Sequence, residues 1–312
     1  MTKNPLAPSG PYTHENLTIF LFHGTDQIDG SRYVSLAEAF EKKHVNIHET
    51  GTVRQLEVEN LSETVDIFIQ AGDVLKGGRQ DRTIGIDFII PARSGRIPVP
   101  AFCVEMGRWH KRGAESERHF SSSSHSLFAK ALRLATKRAC NQSDVWGSVA
   151  NSQKTLGSAL DKSVQAAASP TSYQLSVEDD DLQGRKRAYQ EKLRGITENG
   201  SDIIGYAFYI NGEQNSVDFY ASAKLFRKLW DKLLDVAILE AISAKAGKNG
   251  SPDKENVQAW LKQAAKARSG ERKDAPPRTL FETKSYQTGV VFETFDRAIG
   301  DKTALHTNII SK

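Results

Sequence analysis

The residues best suited to chemistry lie between Gly72 and His110, where the chain reads AGDVLKGGRQDRTIGIDFII and then PVPAFCVEMGRWH. Glycines surround Asp73, Lys76 and the run Arg79-Gln80-Asp81-Arg82. In a strand through this segment Ile84, Ile86 and Phe88 share a face, and the same alternation carries Gln80 and Arg82 onto it. On the preceding strand Val65, Ile67 and Ile69 lead in register to Ala71 and Asp73. Asp73, Gln80 and Arg82 then point to the end of an apolar layer, where a polar group must be paired or liganded. Two chemistries fit. Asp73 and Arg82 could form an ion pair that closes a hairpin, or Arg79 or Arg82 could grip a phosphate or carboxylate through two parallel N–H bonds. Spacing alone favours the ion pair.

The second block alternates Cys103 and Glu105 on one face with Phe102, Val104 and Met106 on the other. Glu105 beside Arg108 could work as a general acid or base with a tuned pKa, although the spacing suits a structural salt bridge equally and is more often one. Cys103 could be a nucleophile, but no histidine is placed beside it, and a small buried residue is the commoner outcome. Trp109 could stack a nucleobase or serve as a buried aromatic anchor. His44 and His48 fall across an expected helix–strand boundary and do not suggest a shared metal. GDVLKGG lacks the Lys-Ser/Thr ending of a phosphate loop, and no GxGxxG is present. No cofactor is required by any spacing, and no metal ligand set is assigned. Acids near a diphosphate could hold Mg²⁺ through waters.

The elements that must position these residues are legible from pattern. Residues 1–16, with Pro5, Pro8 and Pro11, read as an extended tail, and Leu17–Phe22 as the first strand. Ser35 and Glu38 have capping-box spacing for a short helix ending near Lys43. From Val45 to Trp109, strand-length runs separated by short turns leave no room for crossover helices, so the strands should be antiparallel. SSSSHSLFAKALRLATKR reads as a serine-capped helix, residues 151–180 as a loose connection, and Leu182–Thr197 as a helix. DIIGYAFYI and SVDFYAS, joined at Asn211-Gly212, read as a hairpin. Leu225–Ile242 has a broad apolar helical face, and Ser251-Pro252 should open another helix. TLFETKSYQTGVVFETF and ALHTNII close the chain as strands. The class expected is α+β, with an antiparallel sheet or sandwich in the N-terminal half and helices with a further hairpin in the C-terminal half. The organisation expected is one domain over 17–312, β-rich over 17–120 and mixed helical over 121–312, with 245–278 a charged surface arm.

The 312 residues carry a net charge of +4 and a mean hydropathy of -0.48, and no apolar run is long enough for a spanning helix. Two cysteines, Cys103 and Cys140, make no disulfide framework. The first residues lack a signal-peptide pattern, so a cytoplasmic protein without a membrane role is expected. The mild basicity permits an anionic ligand without demanding nucleic acid. Residues 245–278 hold nine basic and four acidic side chains but Trp260 as their one aromatic, which disfavours a nucleic-acid stacking platform.

The succession YVSLAEAF, VNIHETGTVRQLEVENLS, VDIFIQAGDVLKGGRQDRTIGIDFIIPA, IPVPAFCVEMGRW and SDVW resembles the bacterial ARG and rhodanese-phosphatase-superfamily-associated protein domain, ARG denoting ADP-ribosylglycohydrolase. The resemblance is continuous over about 17–150 and fainter beyond. The family's motif positions fall on Asp73, Gly78, Gln80, Arg82, Cys103, Glu105, Gly107, Arg108 and Trp109. The chain departs from the family pattern at Asp73, Arg79 and Asp81, and an acid at Asp81 argues against phosphate contact there. The resemblance implies work on ADP-ribose- or NAD-derived compounds, without an established reaction. The expectation is a protein that binds such a nucleotide and could hydrolyse it. Glu105, Gln80 and Asp73 would be the catalytic set, and Arg79, Arg82, Arg108, Cys103, Gly78 and Trp109 would hold the ligand. The alternative is a non-catalytic scaffold that partners an ADP-ribosyl-processing enzyme.

Overall fold

A computed structural model describes residues 7–127, 129–139, 141–245, 247 and 250–312; Cys140 lies outside them. The chain forms two compact units, one drawn from 1–33, 189–237 and 246–312 and the other from 34–188 and 238–245. The chain passes repeatedly between these two units, where the sequence alone suggests one domain over 17–312. No contiguous linker separates them, so no shift in composition could mark the division. Within each unit the strands are antiparallel, and the class is α+β.

The first unit is built on an eight-stranded sheet with the order Ala7–His14, Leu17–His23, Ile203–Ile210, Glu213–Tyr220, His306–Ser311, Gly289–Asp296, Thr279–Tyr286 and Arg268–Ala275. Strand alternation sends Phe20, Phe22, Ala207, Tyr209, Val217, Val291 and Ile309 to one face, where they pack on Val257, Trp260 and Ala264 of the helix Lys254–Ala264. Each large apolar side chain buried in this way contributes about 1.5–3 kcal/mol. On the other face Tyr206 meets Phe226 and Trp230 of the helix Ala223–Ser243, with ring centroids 6.4 and 5.8 Å apart. The expected hairpin is present. Its turn residues Asn211 and Gly212 both have positive φ, 53° and 83°, which suits the twist of the two strands.

The second unit holds a six-stranded sheet with the order Phe120–Ser126, Asp73–Gly77, Arg82–Ile84, Ile97–Cys103, Gln55–Asn60 and Val45–Glu49. A separate pairing joins Asp66–Ile69 to Phe88–Ile90. Helices Leu36–Glu41, Lys130–Leu134, Gln142–Leu160 and Tyr173–Val177 belong to this unit. The Ser35–Glu38 capping box forms in both directions, at 3.2 and 2.9 Å.

Several expectations are corrected. Residues 7–14 form a strand and not a tail, because an outermost strand tolerates the missing N–H groups of Pro8 and Pro11. Residues 120–126 form a strand, because pairing with 73–77 overrides the local helical signal. Much of 151–180 is helical. Ser152, Thr155 and Ser158 satisfy their hydroxyls on carbonyls one turn back, and Asp161, at φ 53°, ends the helix. The 245–278 arm contains the Lys254–Ala264 helix, anchored by buried Val257, Trp260 and Ala264, and the exposed strand Arg268–Ala275. That helix is capped by Asp253, not Ser251.

Candidate functional site

The turn between the strands Asp73–Gly77 and Arg82–Ile84 is tight. Gly77 and Gly78 take φ 117° and 57°, and a Cβ on Gly78 would lie 2.3 Å from the Phe120 ring. Gly78 is therefore demanded by the fold, and its carbonyl accepts from Arg108 Nη1 at 3.1 Å. The turn carries Arg79, Gln80 and Asp81 over the end of the strand Ile97–Cys103, which pairs with Arg82–Ile84 through Cys103 opposite Arg82. The loop that follows then brings Glu105, Arg108 and Arg112 onto the same spot.

At the centre are two fully buried acids, Asp81 and Glu105. Asp81 accepts from the Gly77 N–H at 3.0 Å and from Ser172 Oγ at 3.1 Å, and lies 3.0 Å from Arg112 and 3.3 Å from Arg108. Glu105 lies 2.6 Å from Arg108 Nη2 and 3.0 Å from Arg112 Nη1, and accepts the Asp81 N–H at 3.0 Å. Arg112 also pairs with Glu115 at 2.9 Å. Burial, and then the neighbouring Glu105 charge, push the Asp81 carboxyl up. Burial works upward on Glu105 as well, but hydrogen bonds from Arg108, Ser169 and the Asp81 amide outweigh it and leave this carboxyl below its usual range. Buried charges on this scale hold only when paired and hydrogen-bonded, and here both acids are.

Arg82 forms the next layer. Nη1 donates to Gln80 Oε1 at 2.8 Å and Nη2 meets Glu49 at 3.4 Å, while Gln80 Nε2 reaches the Glu105 carbonyl at 3.2 Å. The Nε atoms of Arg82 and Arg108 are buried without a hydrogen-bond partner. The Trp109 ring lies outside this layer, with the Arg79 and Arg82 guanidinium carbons 5.4 and 5.7 Å from its centroid, within cation–π range.

The structure brings the Gly72–Arg82 and Cys103–Trp109 blocks together, and wires them only in part as their spacing suggests. The Glu105–Arg108 salt bridge forms. The Asp73–Arg82 ion pair does not: Arg82 turns to Gln80 and Glu49, and Asp73 accepts the Gln70 N–H at 3.1 Å at the far end of its strand. Cys103 is buried. Its thiol donates to the Glu105 carbonyl at 3.0 Å, and burial pushes its pKa up, away from nucleophilic character. Trp109 is not a buried anchor; it is 40% exposed. Among the nine expected site residues, Arg79, with 38% side-chain exposure, and Trp109 have substantial exposure, whereas Asp73, Gln80, Arg82, Cys103, Glu105 and Arg108 are buried. Glu49, Arg112, Glu115 and Ser172 were missed. Glu49 and Ser172 come from distant segments that no local spacing links to the cluster, whereas Arg112 and Glu115, three apart and just beyond Arg108, had a spacing signal that could have found them. Among the described residues no group of three or more His, Cys, Asp or Glu is arranged to hold a metal ion, and no helix is long and apolar enough to cross a membrane.

A family model described as the ARG and Rhodanese-Phosphatase-superfamily-associated Protein domain matches residues 6–310, nearly the whole chain. No curated protein and no solved structure matches.

Proposed function

This chain belongs to the ARG and rhodanese-phosphatase-superfamily-associated protein family, and we propose that it binds an ADP-ribose- or NAD-derived nucleotide at the outer face of the Asp81–Glu105 centre. The observation that carries this reading is the Trp109 ring, 40% exposed and flanked by the Arg79 and Arg82 guanidinium groups. An aromatic platform for a base beside a cation for a phosphate is the pair of features a nucleotide needs, and stacking on such a ring is worth about 1–3 kcal/mol per base. Arg79 is the cation within reach of solvent. Arg82, held by Gln80 and Glu49, backs the platform from inside. The family's description, which ties it to ARG proteins, supports an ADP-ribosyl compound over other nucleotides.

Binding has more support than hydrolysis. Glu105, Gln80 and Asp73 are all buried, and both Glu105 oxygens are engaged by arginines. In this reading Glu105 positions Arg108 and the 105–112 loop and does not touch the ligand. A second reading, a scaffold for an ADP-ribosyl-processing enzyme, is favoured by Met106, 51% exposed on the same loop as Trp109. Two large apolar side chains left open so close together suit a protein partner.

A thermal-shift panel of NAD, ADP-ribose, AMP and inorganic diphosphate, with and without Mg²⁺, separates the readings. A ligand at about 100 times its dissociation constant stabilises by about 2.7 kcal/mol, which corresponds to a shift of about 5 °C or more. The nucleotide reading expects that shift with ADP-ribosyl compounds and its loss in Arg79→Ala and Trp109→Ala. No shift with any member of the panel, from folded protein, would overturn it in favour of the scaffold.

A further inference from the structure

In the first unit, far along the sequence from the residues discussed above, three side chains form a hydrogen-bonded chain. Ser9 Oγ lies 2.9 Å from His23 Nε2, and His23 Nδ1 lies 2.8 Å from Asp202 Oδ1. The sheet produces this arrangement directly. His23 ends the second strand. Ser9 pairs with Leu21 and Ala7 with His23 on the outermost strand, so Ser9 and His23 are diagonal neighbours on one face. On the other side His23 pairs with Ile203, which sets Asp202 next to the ring, and the Gly24 N–H holds the Asp202 carbonyl at 2.9 Å.

The order of partners determines the chemistry. Asp202 accepts, so its bond to the ring places the proton on Nδ1 and leaves the Nε2 lone pair facing the Ser9 hydroxyl. A nucleophile within hydrogen-bond reach of a base, with the base oriented by a third group, is the signature of an activated hydroxyl. The hydrogen bond from His23 also keeps the Asp202 carboxyl below its usual range, so it is charged when it orients the ring. Ser9 stands at a bulge that interrupts the pairing between Ser9 and Tyr12. The next residue, Gly10, has φ 104°, and a Cβ there would lie 2.9 Å from the Ile19 carbonyl. Bulges of this kind re-aim side chains beside active sites. The side chains of His23 and Asp202 are 32% and 58% exposed.

We propose that Ser9, His23 and Asp202 form a hydrolytic centre for small activated carboxylic esters, separate from the nucleotide-binding reading. Ser9 Oγ bonds to the acyl carbon while its proton passes to His23 Nε2. The carbon–alkoxy bond then breaks, and the alcohol leaves with that proton. Water repeats the sequence on the acyl-serine, releasing the carboxylic acid and restoring the Ser9 hydroxyl. Ser9 and His23 are the catalytic residues, and Asp202 positions the imidazole. The exposure of the His23 and Asp202 side chains leaves the centre open to solvent, which suits small reactive acyl groups.

The test uses the full chain and a fluorophosphonate reagent, followed by peptide mass spectrometry and by release of p-nitrophenol from p-nitrophenyl acetate. The expected result is a phosphonyl adduct on Ser9. The rate of labelling should fall by roughly 10²-fold in His23→Ala, fall in Asp202→Asn, and recover in part in Asp202→Glu. Circular dichroism of each variant checks that the sheet persists. Absence of an adduct on Ser9, or labelling of Ser9 that His23→Ala leaves unchanged, would overturn the proposal.

Discussion

Asp81 and Glu105 share one guanidinium nitrogen: Arg112 Nη1 lies 3.0 Å from a carboxylate oxygen of each. Two acids this close and fully buried would repel each other strongly without that cation. Arg112→Met should therefore cost about 3–5 kcal/mol, since it leaves the two buried acids to share Arg108 and adds only a hydrophobic contact. Urea denaturation followed by far-UV circular dichroism measures the loss. A change below about 1 kcal/mol would mean that Arg108 alone neutralises the pair.

The two carboxyls should respond oppositely to pH. Asp81 has its carboxyl raised by burial and by Glu105, so the folded state binds its proton more tightly than the unfolded state does. Stability then falls as pH rises from the ordinary aspartate value of 3.8 through the raised folded value. Glu105 is lowered, so its contribution is present above the ordinary value of 4.5 and is lost as pH falls through the folded value. Asp81→Asn should remove the first slope and cost less at neutral pH than Glu105→Gln. Stability measured against pH for the two variants tests the assignment, and equal slopes would contradict it.

Gly78 and Phe120 form a pair in which one side chain occupies the space the other lacks. A Cβ on Gly78 would sit 2.3 Å from the ring, at a φ of 57°. Gly78→Ala should cost about 1–3 kcal/mol by overpacking, and Phe120→Leu in that background should recover part of it. A double-mutant cycle reads the coupling; strictly additive losses would show that the backbone angle, not the ring, sets the cost.

Trp109 should report on ligand directly. It is half-exposed, whereas Trp230 and Trp260 are buried. Under the nucleotide reading, ADP-ribose should quench the intrinsic fluorescence, and Trp109→Phe should abolish the change while leaving the melting temperature of the free protein nearly unchanged. A quench that persists in Trp109→Phe would place the ligand elsewhere.

Asp296 anchors the other unit. Its buried carboxylate accepts from Tyr33 Oη at 2.6 Å, Arg278 Nε at 2.9 Å and the Ala298 N–H at 2.9 Å, and pairs with a second Arg278 nitrogen. Burial raises this carboxyl, but the Arg278 and Tyr33 bonds prevail and hold it below its usual range. Its stabilisation is therefore present above pH 3.8 and lost as pH falls through the lowered value. Asp296→Asn should cost about 3–5 kcal/mol near neutral pH and flatten the acid limb of the stability curve. An unchanged acid limb would assign that limb to other carboxylates.

Elements whose signals are local were legible in the chain's own pattern. The Ser35–Glu38 cap, the Asn211-Gly212 hairpin, the long apolar helix from about 225 and the antiparallel strands between Val45 and Trp109 all follow from spacing within a few residues, and all are present. The Glu105–Arg108 bridge is legible for the same reason, its partners being three apart. Long-range packing brings Arg112 and Ser172 to Asp81 across 31 and 91 residues, and Asp202 to His23 across 179. It also turned Arg82 away from Asp73, by offering Glu49 from a strand that no local pattern connects to it. Periodicity reports which face a side chain takes within its own strand. Which partner waits there depends on sheet order and loop path, and these are set by the burial of the whole core and not by any one segment.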